Sequence, residues 1–343
     1  MKIKTTALWI GLAILTVCRA DAAEEAKPDL TSGNPEAKYR SVIRSQDKAV
    51  FGDAALGLRR WMEVRDLQRP IYHTMGPMGF TFDVNGPIYH DGRYHLFYHK
   101  SSFVFKPDKE DAEILDVSPH FYAPNPHMID NKGPGGSQRR LMFGWVRGGQ
   151  TPTKDVPYWD GNHSLPRVLT LVSNKLIQEP IPELQVLRHG HMQLTNRLIE
   201  SSTPGLLKDF TGNALEVIAS FDPQGATAKR FGVKLRMSKD GNEQTVVYYE
   251  PASGRFGVSG SVVDGEISDH ADFPAGRRVT LHIFLDRSVV EVFAAGRVIT
   301  KRTYSDPTSQ GLDVFSDGGS VKLDVLDIWR MKSIWDQGSN GKS

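Results

Sequence analysis

The C-terminal half of the chain is a succession of short strand patterns, each followed by a turn. These segments are ALEVIASFD, FGVKLRMS, TVVYYEP, RFGVSG, VTLHIFLD, VVEVFAAGRVIT, GLDVFS and VKLDVLDIWRM, at the spacing of roughly 8–12 residues that is typical of sandwich strands. In VTLHIFLD, the apolar side chains of Val279, Leu281 and Ile283 alternate with other residues, which places them on one face of a sheet. The pattern predicts a β-sandwich over residues 213–337, followed by a short tail at 338–343.

The stretch from residue 68 to 187 also predicts strands, here in hairpins that are rich in aromatic residues. GPIYHDGRYHLFYHK contains two strand patterns around a His-Asp-Gly turn, and IDNKGPGGSQRRLMFGWV repeats the plan around a Gly-Pro-Gly-Gly loop. Repeated hairpins of this kind are compatible with propeller blades or with a sandwich. We assign residues 188–212 to a linker between the two units, so the fold class is all-β.

The first 67 residues differ from the rest in composition. Lys2 and Lys4 precede the apolar run ALWIGLAILTV, and small residues follow at 20–23. This arrangement predicts a secretory signal peptide over residues 1–23 and a secreted or periplasmic protein, with a retained anchor helix as the alternative. Residues 24–67 are interpreted as a polar extension with helical pieces, broken near Phe51-Gly52-Asp53.

Composition argues against several classes of function. There are 42 basic and 40 acidic residues, which indicates neither a nucleic-acid partner nor, after signal cleavage, a membrane partner. The only cysteine, Cys18, lies in the signal peptide, so a cysteine nucleophile or zinc–thiolate site is not expected. We find no phosphate-loop or dinucleotide motif, and His189 and His191 are interpreted as loop residues, so we expect no cofactor and no metal. The sequence leaves the oligomeric state open.

Asp83, in the segment FTFDVNGPIY, is the first candidate for chemistry. An Asp before Val-Asn-Gly can close an Asx turn. Alternatively, it is a carboxylate at the end of a strand, with Asn85 and the neighbouring aromatic residues forming a sugar pocket. A carbohydrate site needs both kinds of residue, because aromatic faces stack on sugar C–H groups and polar side chains bind the hydroxyl groups.

Two further segments supply candidate sugar-binding residues. FYAPNPHMID with RRLMFGWV provides Tyr122, Asn125 and Trp145, and YWDGNHSLPRVLTL provides Trp159. For the first segment, an aromatic core beside a proline-rich turn is an equally good interpretation. A Ser/His/Asp hydrolase is not supported, since no nucleophile-elbow motif occurs.

These segments resemble, in order, the motifs of glycoside hydrolase family 32, the invertase, levanase and inulinase group. RPIYHTMGPMGFTFDVNGPIYHDGRYHLFYHK resembles the family's opening block, and FYAPNPHMID with RRLMFGWV resembles its Phe-Tyr-Ala block and Gly-Trp strand. WDGNHSLPRVLTL resembles the Leu-Pro-Arg-Glu-Leu block, and PELQVLR the interdomain linker. LDRSVVEVFAAGR and GGSVKLDVLDIWRMKSIW resemble the C-terminal sandwich.

The resemblance implies a five-bladed β-propeller that carries the site, followed by a β-sandwich. It implies hydrolysis of β-fructofuranosidic bonds in sucrose, levan or inulin with retention of configuration. Asp83 then matches the family nucleophile, and Asn85 matches the last Asn of the opening motif. In this mechanism one carboxylate attacks the anomeric carbon and a carboxylic acid protonates the leaving oxygen.

The chain departs from the family pattern at several positions. Phe80-Thr81-Phe82 replaces the usual Trp-Met-Asn, and Val84, His99 and Val168 replace a Pro, a Gln and a Glu. The Arg-Asp-Pro block of the transition-state stabiliser and the Glu-Cys block of the acid/base do not occur. The segment from residue 70 to 187 is also shorter than the roughly 200–250 residues that five blades need.

Four carboxylates lie near the missing blocks and could replace the acid: Glu110, Asp111, Glu113 and Asp116. The run KPDKEDAE instead indicates a solvated loop whose carboxylates keep ordinary pKa values. The sequence therefore leaves three hypotheses: a working fructan or sucrose hydrolase, a non-catalytic fructan-binding or structural protein, and a relic of an internally deleted hydrolase.

Overall fold

The computed structural model describes residues 48–76, 79–81, 88–90, 93–95, 115–150, 159–173, 175–274 and 276–335. Within these ranges, one α-helix and two short 3-10 helices accompany nineteen strands. The all-β class that the sequence predicted is therefore confirmed. None of the helices in the described ranges has the length and apolar character needed to cross a bilayer.

The helix α1 (Lys48–Glu63) corrects one detail of the sequence interpretation. It runs without a break through Phe51, Gly52 and Asp53, where we expected an interruption. A glycine inside a helix costs only about 1 kcal/mol relative to alanine. Packing offsets this cost, because the side chains of Leu58 and Met62 are completely buried.

The N-terminal sheet consists of β1 and β4 to β8, in the order β1-β6-β5-β7-β8, with β4 on the other edge of β5. The long strand β5 pairs with β7 through residues 140–142 and with β6 through residues 145–150. Within the β5–β6 pairing the register shifts between Val146 and Gly149. The strands are β1 (Gly79–Phe80), β4 (Phe121–Asp130), β5 (Arg139–Gln150), β6 (Trp159–His163), β7 (Arg167–Val172) and β8 (Lys175–Pro180).

Both hairpins predicted in this half are present. In the first, β2 (Ile88–His90) pairs with β3 (Arg93–His95), and Tyr89 lies opposite Tyr94. In the second, β4 and β5 are joined through the 3-10 helix Pro134–Gly136. Gly135 within this turn has a φ of 64°, a conformation that glycine adopts at little cost.

The C-terminal unit is a sandwich of two antiparallel sheets, as predicted. A six-stranded sheet has the order β17-β16-β15-β10-β19-β9, and a five-stranded sheet has the order β14-β13-β12-β11-β18. The strands are β9 (Arg188–Glu200), β10 (Ala214–Asp222), β11 (Arg230–Met237), β12 (Thr245–Glu250), β13 (Arg255–Gly260), β14 (Ile267–His270), β15 (Val279–Asp286), β16 (Val289–Ala294), β17 (Arg297–Arg302), β18 (Gly311–Asp317) and β19 (Ser320–Met331).

The sandwich core follows from the alternation of side chains along its strands. Val279, Leu281 and Ile283 of β15 are at most 1% exposed, and they pack with Val217 of β10 and Phe231 of β11 from the opposite sheet. Each such side chain contributes about 1.5–3 kcal/mol when it leaves water. The core therefore joins the two sheets.

The six-stranded sheet begins within residues 188–212, which we assigned to the linker. Arg188–Glu200 forms the edge strand β9, which is antiparallel to β19 along its whole length. Met192 and Leu194 pack against the core, while most other residues of β9 are exposed. An edge strand with one solvated face has few apolar residues, which explains why the segment resembles a linker in sequence.

The N-terminal sheet packs on the outer face of the six-stranded sheet. Strand β16 is buried on both faces. Its Val290 and Val292 face the sandwich core, whereas Phe293 packs with Ile71 and Leu165 of the N-terminal half. The second face of β16 thereby forms the junction between the two units.

Candidate functional site

An aromatic pair lies on the N-terminal sheet at residues that the sequence singled out. Tyr122 of β4 is opposite Trp145 of β5, with the ring centroids 5.8 Å apart and an interplanar angle of 80°. The guanidinium of Arg147 lies 5.2 Å from the Tyr122 ring centroid. Both aromatic side chains are partly exposed. We call the Tyr122–Trp145 pair the aromatic wall. Together with Arg147 it offers apolar ring faces and hydrogen-bond donors, a combination that suits a sugar site.

Asn125 lies on the same strand as Tyr122, beyond a register shift. Its Oδ1 accepts a hydrogen bond of 3.1 Å from the backbone N–H of His127. This is the geometry of an Asx turn, and it stabilises the irregular backbone of β4. The structure therefore brings Tyr122 and Trp145 together and gives Asn125 a local structural contact.

Trp159, a predicted sugar-binding residue, is completely buried. Its Nε1–H donates a hydrogen bond of 2.6 Å to Oδ2 of Asp66. The guanidinium groups of Arg69 and Arg302 lie 5.7 Å and 5.4 Å from its ring centroid. Trp159 thus occupies the interior between the N-terminal segment and the sandwich, and it offers no exposed face for a sugar.

Thr81, two residues before Asp83 in the sequence, lies next to the aromatic wall. Strand β1 pairs in parallel with β6, and the backbone N–H of Thr81 donates to the carbonyl oxygen of Asp160 at 2.7 Å. Gly161 has a φ of 73°, and a Cβ at this position would overlap with Nε1 of Trp145 and with the carbonyl oxygen of Thr81. Only glycine allows this approach of the Trp145 indole to the backbone of Thr81.

Asp83 and Asn85 lie outside the described residues, so the roles predicted for them stay predictions. The same holds for Glu110, Asp111 and Glu113, three of the carboxylates considered as a replacement acid. The fourth, Asp116, is described and does not face the aromatic wall.

Asp116 is an exception to the solvated loop that we expected near the missing blocks. Its side chain is completely buried, and its Oδ2 accepts hydrogen bonds from Arg167 at 3.0 Å and from the Thr300 hydroxyl at 2.7 Å. Burial raises the pKa of Asp116, and the Arg167 cation and the hydrogen bonds from Thr300 and Ser118 oppose this only in part. The carboxylate connects the N-terminal half to β17 and is a structural group.

His189 and His191 lie on strand β9 and not in a loop as we expected. The His191 ring stacks on Trp329 with a centroid distance of 4.7 Å, and its Nε2 is 2.7 Å from Oδ1 of Asp327. Among the residues that the structure describes, no group of three or more His, Cys, Asp or Glu side chains is placed to hold a metal ion.

A set of buried charges at the junction escaped the sequence analysis. Oδ1 and Oδ2 of Asp286 accept hydrogen bonds from the backbone amides of Ile71, Tyr72 and His73. Glu291 of β16 is completely buried and accepts hydrogen bonds from the backbone amide of Leu165 at 2.7 Å and from Arg167 at 3.0 Å. The signal in the sequence was a glutamate inside the apolar run VVEVFAA.

Another buried carboxylate, that of Glu216, borders a cavity of about 250 Å³ between β8 and the sandwich. Glu216 accepts two hydrogen bonds of 2.6 Å from Arg188 and one of 2.7 Å from Nε2 of His282. Burial raises the pKa of Glu216, but these hydrogen bonds outweigh burial and leave the pKa lowered. None of the residues that line this cavity belongs to the aromatic wall. Its charged groups Arg188, Glu216 and His282 are already hydrogen-bonded to one another.

The comparisons with known proteins agree with this architecture. The protein-family model "Glycosyl hydrolases family 32 N-terminal domain" matches residues 99–180 of the sequence. A second family model, "Glycosyl hydrolases family 32 C terminal", matches residues 183–330. Asp83 lies before the first of these regions.

Curated relatives and solved structures belong to the same group. A levanase of Bacillus subtilis (strain 168) is 31% identical over 251 residues, which are 67% of this chain and 36% of the levanase. A sucrose-6-phosphate hydrolase of Escherichia coli is 26% identical over 63% of this chain and 43% of its own length. The fructan 1-exohydrolase IIa of Cichorium intybus in complex with 1-kestose has a TM-score of 0.53 at 22% identity, over 64% of this chain and 49% of that one.

The fold is that of the propeller and sandwich glycoside hydrolases, with only part of the propeller represented. Two adjacent family models match, in the order that the sequence motifs predicted. The chain belongs to glycoside hydrolase family 32. It spans less than half the length of the levanase and the sucrose-6-phosphate hydrolase.

Proposed function

We propose that this chain binds terminal β-fructofuranosyl units of sucrose or of a fructan at the aromatic wall, and that it hydrolyses their glycosidic bonds poorly or not at all. The position of the Trp145 indole against the backbone of Thr81, two residues before Asp83, carries the proposal. Thr81 belongs to the segment that resembles the opening block of the family, and this segment also contains Asp83. The described part of that segment therefore lies beside the wall.

The chemistry argues for binding rather than efficient hydrolysis. A retaining glycosidase needs a nucleophile and an acid about 5–5.5 Å apart. This chain supplies Asp83 by resemblance, but the blocks that carry the acid and the transition-state stabiliser in the family are absent from its sequence. Loss of a general acid alone typically reduces the rate by about 10²- to 10⁴-fold. Asp116 is held by Arg167 and Thr300, which argues against a role as the replacement acid.

The expected place of action is outside the cytoplasm. The residues 1–23 that carry the signal-peptide pattern support secretion or export to the periplasm, where polymeric fructans are encountered. The partner is then a carbohydrate, and the choice among sucrose, levan and inulin is part of the test.

The test measures sugar release and binding with purified residues 24–343. Sucrose, levan and inulin are incubated with the wild type, with Asp83→Asn and with the exposed control Asp272→Asn, and released fructose is quantified. We expect no release above about 10⁻² of a family hydrolase. Release that is lost in Asp83→Asn but kept in Asp272→Asn would contradict the proposal and establish a working hydrolase.

Binding is measured on the same fructans by calorimetry. We expect Trp145→Ala to weaken binding about tenfold through loss of an aromatic face, whereas Trp329→Ala on the sandwich is a matched control without effect. Absence of both release and binding in a folded wild-type protein would favour the relic of an internal deletion.

A further inference from the structure

Three consecutive backbone amides of the N-terminal half converge on one carboxylate of the sandwich. The N–H groups of Ile71, Tyr72 and His73 donate to Asp286 at 2.7, 2.8 and 2.9 Å. Asp286 is the last residue of β15 and is completely buried. Hydrogen bonds to a charged acceptor are about twice as strong as neutral ones, so this carboxylate fixes the conformation of the segment.

The imidazole of His73 lies between two carboxylates. Its Nδ1 is 2.8 Å from Oδ2 of Asp286, and its Nε2 is 3.1 Å from Oε1 of Glu291; all three side chains are completely buried. Ionised carboxylate oxygens only accept hydrogen bonds. Each ring nitrogen is therefore placed to donate to a carboxylate oxygen, which is the arrangement of an imidazolium. Burial lowers the pKa of His73, but the hydrogen bonds to Asp286 and Glu291 outweigh burial and raise it.

The surroundings of this ring also lower the pKa of one of its two carboxylate partners. Burial raises the pKa of Glu291, but Arg167 and His73 outweigh burial and leave it lowered. Tyr72 stacks on the imidazole at a centroid distance of 5.1 Å, and its own pKa is raised by burial and by the neighbouring carboxylates. The other charged or titratable groups around this cluster interact with Asp286 (Arg59, Tyr72, Arg287 and Arg302), with Glu291 (Arg167) or with Tyr72 (Glu216).

Hydrogen bonds link the residues that follow His73 to the neighbourhood of the aromatic wall. The carbonyl oxygen of Thr74 accepts from the backbone N–H of His163 at 2.8 Å. The hydroxyl oxygen of Thr81 accepts from the backbone N–H of Gly76 at 2.9 Å. The backbone N–H of Thr81 in turn donates to the carbonyl oxygen of Asp160. These contacts connect the backbone around His73 with β6 and with Thr81 beside Trp145.

We propose that protonated His73, held by Asp286 and Glu291 of the sandwich, is a proton-dependent latch that positions residues 71–76, and through their contacts Thr81, for sugar binding. His73, Asp286 and Glu291 are thus positioning residues. The link to sugar binding rests on the proposed function, whereas the latch itself does not.

The direction of the pH dependence follows from the raised pKa of His73. A group whose pKa is higher in the folded than in the unfolded state stabilises the fold fully below its unfolded value of about 6.5. This stabilisation is lost as the pH rises through the folded value. The latch is therefore closed in mildly acidic solution and opens in alkaline solution.

The first experiment observes the latch directly. Histidine labelled with ¹⁵N is incorporated into residues 24–343, and the ring nitrogens of His73 are identified by their loss in His73→Gln. We expect the signals of a doubly protonated ring at pH 6 and the conversion to a neutral ring at a pH above 6.5. A neutral His73 ring at pH 6 would refute the latch.

The second experiment measures hydrogen exchange of the Ile71, Tyr72 and His73 amides between pH 6 and pH 9, as protection factors corrected for intrinsic exchange. In the wild type, protection falls with rising pH. In His73→Gln, protection at pH 6 is already lower by on the order of 10- to 100-fold, and the pH step is gone. Glu291→Gln keeps the side-chain volume and removes one carboxylate, so the fall in amide protection between pH 6 and pH 9 becomes smaller.

His191→Gln is the matched control, because it removes a largely exposed histidine on β9. It keeps the protection and pH step of the wild type. Equal protection in His73→Gln and the wild type at every pH would overturn the proposal. Levan and inulin binding at pH 6 and 9 then tests the positioning role: we expect the wild type to weaken at pH 9 and His73→Gln to be equally weak at both. If the wild type binds no fructan, the proposed function fails while the ring titration and the exchange data still decide the latch.

Discussion

Arg167 is the side chain whose removal should destabilise this protein most clearly. It is completely buried. Its Nη2 donates to Asp116 and Glu291 at 3.0 Å and to the Thr300 hydroxyl at 2.8 Å, and its Nη1 donates to Gln178 at 3.0 Å. It is the cation that connects two buried carboxylates from different halves of the chain. Arg167→Met keeps much of the side-chain volume and removes the charge.

The magnitude follows from the two carboxylates that remain. Removing one partner of a buried ion pair leaves an uncompensated charge and costs about 3–5 kcal/mol. The whole free energy of unfolding of a typical protein is only about 5–15 kcal/mol. Arg167→Met should therefore remove a large share of the stability, and adding Asp116→Asn should restore part of it because one buried charge disappears.

Urea unfolding followed by tryptophan fluorescence measures this effect. With a denaturant slope of about 3 kcal/mol per M, the midpoint should fall by about 1 M or more. The loss should also depend on pH. Without Arg167 the pKa of Asp116, which burial already raises, rises further, and the pKa of Glu291 loses its largest lowering cause. The variant therefore takes up more protons on folding than the wild type and regains stability as the pH falls from 8 towards 5.

The control is Arg278→Met, which breaks an exposed ion pair with Asp324. Such pairs contribute about 0–1 kcal/mol, so this variant should unfold close to the wild type. An Arg167→Met protein with the midpoint of the Arg278→Met control, or with a pH profile parallel to the wild type, would refute the reasoning.

Two further predictions concern other parts of the fold. Gly161→Ala should lower the urea midpoint and weaken fructan binding, because the φ of 73° and the close Trp145 indole leave no room for a Cβ; unchanged binding would contradict the place we give Trp145. Glu216, with its pKa lowered because the Arg188 hydrogen bonds outweigh burial, contributes stability above about pH 4.5 that is lost as the pH falls through its folded value. Glu216→Gln should therefore lose less stability between pH 6 and pH 3 than the wild type in urea titrations, and an equal loss would count against this assignment.

Part of the candidate site was accessible from sequence. Tyr122 and Trp145 were singled out because aromatic residues on paired strands suit a sugar surface, and the structure brings their rings together. Trp159 belonged to the same class of residue, yet it is buried against Asp66. The exposure of an aromatic side chain depends on which distant segment covers it, and local sequence does not carry that information.

Helix and strand boundaries also depend partly on local sequence and partly on tertiary contacts. Strand β15 was predicted from alternation alone, since a period of two is a local property. Strand β9 was missed because an edge strand with a solvated face has the composition of a linker. Helix α1 continues through Gly52, where a local rule predicted a break, because tertiary packing of its buried side chains outweighs helix propensity.

The sequence by itself determined the all-β class, the sandwich, the order of the family motifs and the absence of the acid and stabiliser blocks. These follow from local periodicity, turn residues and residue identity. The tertiary structure alone decided the buried charges of the junction. His73 and Glu291 are 218 residues apart in the chain, and the two are joined only when β16 and the N-terminal segment pack together. A buried charge is stable only beside its partner, so the function of such residues becomes visible when the fold brings the partners into contact.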